Sequence, residues 1–100
     1  MPLETSFIGP QRRSDDGVDY LFRVSDGAAH RDVAVGVTGQ AINPVGQPAR
    51  TREVLIVLAE AWLNDCIRRG FNPFSEPSQR VPDVTAMIAD HWCVRGELPS

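Results

Sequence analysis

Apolar residues recur with two different periods along this chain, and the change of period divides it into elements. From Val18 to Ser25, VDYLFRVS, the side chains of Tyr20, Phe22 and Val24 alternate onto one side. From about His30 to Thr38, Val33, Val35 and Val37 do the same, while Ala34, Gly36 and Thr38 point the other way. Between the two runs stands Ser25-Asp26-Gly27, strong turn chemistry in which Gly27 is able to take a positive φ. The pattern predicts a β-hairpin with Tyr20, Phe22, Val24, Val33, Val35 and Val37 as its apolar face. Two strands alone are marginal in water, so a third strand, or one from a dimer mate, is expected. TSFIG at Thr5 to Gly9 is the candidate within the chain.

From Ala49 to Arg69 the period becomes helical. Glu53, Val57, Glu60, Asn64 and Arg68 fall on one narrow stripe. Leu55, Leu58, Ala59, Trp62 and Cys66 centre the opposite face, flanked by Val54 and Ala61 on one side and Ile56, Leu63 and Ile67 on the other, with Asp65 as the one interruption. So wide an apolar arc calls for a second covering layer or a second molecule. Pro48 suits the first turn and Gly70 the left-handed stop. Arg68 and Arg69 complement the negative end of the helix dipole, and Asp65 reaches Arg69 four residues on. Arg50 and Arg52 lie at the unfavourable end.

A second helix is predicted from Asp83, as N-cap, to about Val94, with Val84, Met87, Ile88, His91 and Trp92 sharing a face. Gly39 to Ala49 (GQAINPVGQPA) and Phe71 to Pro82 (FNPFSEPSQRVP) read as glycine- and proline-marked connections, the second carrying Phe71 and Phe74. The expected architecture is therefore α+β: a two-layer ββαα domain over 18–95, in which the hairpin packs on one long central helix and a shorter C-terminal helix. An irregular arm over 1–17 and a tail over 96–100 flank it.

One hundred residues make one modest core, and 42% hydrophobic with 23% charged residues are ordinary globular values. Ten basic residues against thirteen acidic ones give a formal charge of -3 without a basic block, which disfavours non-specific nucleic-acid binding. All ten basic residues are arginines. The absence of lysine removes Schiff-base chemistry and a Walker-type phosphate loop. It also suggests a GC-rich bacterial or phage genome; a coding sequence of ordinary GC content would count against that origin. Two cysteines, Cys66 and Cys93, make no disulfide framework. MPLETSFIGPQRR lacks a charged start followed by an apolar run, and no stretch approaches the about 18 apolar residues of a membrane span. Cytoplasmic residence is the expectation.

The candidate chemistry is sparse. His91 and Cys93 stand two apart, so on a helix they point away from each other and do not converge on one ion. Asp15, Asp16 and Asp19 read as a solvated charge run. No GxSxG, HExxH, GxGxxG or GxxxxGK[ST] occurs. No catalytic residue, cofactor or metal site is assigned. LAEAWLNDCIRRGFNPFSEPS, a helix ending in glycine and followed by aromatic and proline residues, resembles the corresponding part of HicB-type antitoxins, small partner-binding proteins. The resemblance covers about a fifth of the chain and implies partner binding; it assigns no residue a role.

The function expected is a non-enzymatic protein-interaction module: a homodimer, or an accessory, inhibitor or antitoxin-like protein bound to another. Ile56, Trp62, Leu63, Phe71, Phe74 and Trp92 are its candidate interface, because aromatic and large apolar anchors carry most interface energy. The alternative is a small nucleic-acid-associated regulator using an arginine patch of Arg12, Arg13, Arg50 and Arg52.

Overall fold

In the computed structural model, which describes residues 3–13, 16–75 and 81–94, the alternating runs form an antiparallel sheet. Its strands lie in the order β1 (Glu4–Arg12), β2 (Val18–Ser25) and β3 (His30–Val37). The register sets Tyr20 opposite Val35 and Phe22 opposite Val33, so all six residues of the expected apolar face point inward, and all six are buried. The turn closes as its chemistry requires. Gly27 has φ 93°, and Asp26 Oδ1 accepts from the amides of Ala28 and Ala29 at 2.9 and 2.8 Å. These two bonds, Ala29 first, favour the charged carboxylate and hold the Asp26 pKa below its ordinary value.

The third strand comes from the chain's own N-terminal segment and is longer than TSFIG. Residues 4–12, expected to be irregular, pair with β2 along their length, with a bulge between Phe7 and Gly9. Phe7 faces the core, its ring 5.6 Å from that of Phe22 and 6.1 Å from that of Tyr20. The bulge leaves Ile8 exposed, and Pro10 sits on the outer edge strand, where proline is tolerated. The predicted tail at 96–100, and Asp15, lie outside the described residues.

Three helices follow: α1 (Gly39–Ile42), α2 (Arg52–Arg68) and α3 (Ala86–Val94). Each begins at a threonine whose hydroxyl accepts an amide of the first turn. Thr38 accepts from Ala41 at 3.2 Å, Thr51 from Val54 at 3.3 Å and Thr85 from Ile88 at 3.4 Å. These caps place the starts of α2 and α3 two or three residues later than Pro48 and Asp83 imply. At the far end of α2, Gly70 takes φ 116° as expected.

Helix α2 lies across the sheet. Leu55, Leu58, Ala59 and Leu63 are buried against it, and Cys66 is a buried free thiol whose pKa is raised by burial and then by the Asp65 charge. The other flank of its apolar arc is covered by the chain itself. Val81 and Val84 are buried, Val84 donates to the Gly36 carbonyl at 2.8 Å and accepts from Thr38 at 3.1 Å, and so extends the β3 edge in parallel. Trp62 Nε1 donates to the Pro82 carbonyl at 2.7 Å, tying α2 to that segment.

Helix α3 is rotated relative to the face read from its sequence. Ala89 is fully buried, Ile88 and Trp92 are half-buried, and Met87 and His91 point outward. Asp90, on the next position round, is held by Arg50, and this turns the small Ala89 toward α1, whose Ala41 is also fully buried.

Candidate interaction groove

Three arginines, Arg50, Arg13 and Arg23, form ion pairs that join one element of the fold to another. Arg50 leaves the loop before α2 with only 10% of its side chain exposed. It donates to the Ala41 carbonyl at the end of α1 and to Asp90 Oδ1 at 2.7 Å, so one guanidinium joins α1, the loop and α3. Arg13 reaches Asp19 at 3.5 Å and Asp83 at 3.2 Å, linking the strand region to the segment before α3. Gly36 makes this possible, because a Cβ there would run into Arg13 Nη1 and Asp83 Oδ1. Arg23 pairs with Asp32 across β2 and β3 on the outer sheet face.

Of the proposed nucleic-acid patch, therefore, Arg13 and Arg50 belong to two separate ionic clusters, while Arg12 and Arg52 are exposed. Arg52 is near enough to the buried Tyr20 to offset part of the rise that burial gives its phenol pKa.

The C-terminal half of α2 is organised differently. Between it and α3 opens a groove of about 630 Å³. Trp62, Asp65, Arg68 and Arg69 line it from α2, and Met87, Ile88, His91 and Trp92 from α3. The two tryptophans and Ile88 are half-buried and rest on the core, whereas Met87 is 80% exposed. Asp65, the residue that breaks the apolar arc, is buried beneath two guanidinia. Arg68 Nη2 lies 3.1 Å from Oδ1 and Arg69 Nε 2.9 Å from Oδ2. The first is a directed hydrogen bond; the second is close but badly aimed, so among the described residues the buried Oδ2 has no hydrogen-bonding donor.

The candidate interface residues thus divide. Trp62 and Trp92 line this groove from opposite helices. Phe71 and Phe74 line a second one, of about 600 Å³, with Leu3, Ile67 and the Asp26 turn. Ile56 is half-buried against the core. Leu63 is fully buried between helix and sheet, a position from which it reaches no surface. Met87, Arg68 and Arg69 were missed as groove residues. The exposure of Met87 follows from the rotation of α3, and the double use of Asp65 was half visible in its spacing to Arg69.

Among the described residues no group of three or more His, Cys, Asp or Glu could hold a metal ion, and no helix is long and apolar enough to cross a membrane. Compared with protein-family models, with curated proteins and with solved structures, the chain matches none.

Proposed function

We propose that this chain is a non-enzymatic protein-interaction module, acting as a homodimer or as a small accessory, inhibitor or antitoxin-like protein on another polypeptide. The observation that carries the reading is the open groove between α2 and α3. Two half-buried tryptophans and a methionine 80% exposed stand there on a firm core, the arrangement from which interface anchors are drawn. One potential base, His91, also lines the groove, and an enzyme would want a nucleophile beside it. Among the described residues the one buried carboxylate is instead occupied by two arginines, which suits holding a partner better than turning over a substrate.

Native mass spectrometry of the tagged protein, gently isolated from its host lysate, together with light scattering of the purified chain, tests this. A dimer mass or a stoichiometric second polypeptide is expected. A bare monomer throughout the micromolar range, with no polypeptide co-isolated, would remove the reading.

A further inference from the structure

We propose that the groove between α2 and α3 docks an acidic segment of a partner protein, one that carries a large apolar side chain beside its carboxylates. The proposal rests on the interaction-module reading and specifies what that module takes.

Charge is the first reason. Arg68 and Arg69 share the single carboxylate of Asp65, which leaves one positive charge unbalanced there among the described residues, in a chain whose formal charge is -3. Both guanidinia are well exposed, at 73% and 76%. Among the described residues, Arg23 pairs with Asp32, Arg50 with Asp90, and Arg13 with Asp19 and Asp83, each carboxylate on another element or outside the groove. The groove is thus a cationic spot on an acidic molecule.

The second reason is the quality of the internal pairing. Arg69 approaches Asp65 Oδ2 without making a directed hydrogen bond, so Coulomb attraction to a guanidinium that is itself 76% exposed is most of what holds it. An incoming carboxylate offers a guanidinium two parallel, charge-assisted bonds, a better geometry than the one it leaves.

The third is the apolar floor. Trp62, Ile88 and Trp92 present half-exposed surface, and Met87 stands over them on an unbranched, adaptable side chain. An apolar anchor in the slot with a carboxylate about one helical turn away meets both halves of the site at once. A nucleic acid also offers anions and stacking bases. It would, however, bring a row of phosphates to one unbalanced positive charge on a net acidic chain, which favours the protein segment.

The test pans the purified full-length chain against a displayed library of random linear peptides and then titrates the enriched sequences, as synthetic peptides, by tryptophan fluorescence. Enriched peptides are expected to place Asp or Glu about one helical turn from Trp, Phe or Leu, and to shift the emission of the chain. The triple change Asp65→Asn, Arg68→Gln and Arg69→Gln removes the cluster without stranding a buried charge, and is expected to weaken binding roughly tenfold or more. Met87→Asp, at an exposed position with no structural duty, is expected to weaken it as well. Replacing the peptide's acids by amides should cost affinity for the unaltered chain and none for the triple variant.

No enrichment, enriched peptides without acids, or binding indifferent to both variants would overturn the proposal. So would a single-stranded oligonucleotide that binds more tightly with the same arginine dependence. The two failures are separable. A dimer or a co-isolated partner with no acidic peptide selected leaves the interaction module standing and removes the groove as its site; a solitary monomer removes the module itself.

Discussion

The two ends of α2 use the same residue types to opposite effect. At its N-terminal end Arg50, nearly buried, binds the Ala41 carbonyl and Asp90, and the two alanines Ala41 and Ala89 let α1 and α3 close over the core. At the C-terminal end Arg68 and Arg69 are exposed, Trp62 and Trp92 stand apart across a groove, and Met87 points into solvent. Small residues and a guanidinium reaching across elements make a closed joint. Large residues and guanidinia that return to their own helix leave an opening. Burial decides the consequence, because a buried guanidinium must have its partners whereas an exposed one can exchange them with water or a ligand.

Substitutions can break this contrast in a definite order. The largest expected effect lies between the two ends, at Leu63, which adjoins Trp62 in sequence but faces the sheet. Leu63→Ala should lower unfolding stability by about 3 kcal/mol in urea titrations, through lost burial and the cavity left behind. A loss under about 1 kcal/mol would mean that the interior is not closed there.

Arg50→Ala comes next, at about 2 kcal/mol, since it leaves the Ala41 carbonyl at the end of α1 without its side-chain donor. The rehydration of half-exposed Asp90 keeps the figure from being larger. Met87→Ala should change stability by no more than about 0.5 kcal/mol. If instead it costs as much as Arg50→Ala, the groove is part of the core and the contrast fails.

The smallest effect is sought away from α2, at the hairpin turn. The Asp26 carboxylate has a lowered pKa in the fold because it accepts from two amides. Its contribution is therefore present above the ordinary carboxylate pKa and is lost as the pH falls through the lowered, folded-state value. Acid unfolding of Asp26→Ala should show a shallower loss over that interval than the unaltered chain. Identical profiles would mean that the turn does not use the charge.

Much of this fold could be read from local pattern because the pattern is produced locally. The period of two in β2 and β3, the turn at Gly27 and the stop at Gly70 depend on residues within a few positions of one another. The threonine caps are equally local: Thr51 follows Pro48 by three residues and Thr85 follows Asp83 by two, and each hydroxyl takes an amide of the first turn. Strand β1 was harder to read. Its inward positions mix Thr5 with Phe7, and the bulge at Ile8 shifts the alternation before Pro10. Helix α1 has only four residues in a segment marked by glycine and proline, too few for any period to show.

What the sequence by itself determined is therefore the hairpin of β2 and β3 with its apolar face, the long helix α2 with its stop, and the presence of α3, since hydrophobic period, turn chemistry and capping act over one or two turns of chain. Tertiary structure alone decided which cover the wide arc of α2 receives: Val81, Val84 and Ala89 come back along the β3 edge and against α1, and no spacing in the sequence announces that return. It also decided which arginines are structural and which are available. Arg13 meets Asp83 across seventy positions and Arg50 meets Asp90 across forty, while Arg68 and Arg69 find only a carboxylate on their own helix. A side chain's charge is written in its identity, but whether that charge is already answered depends on residues far along the chain, and only folding brings them near.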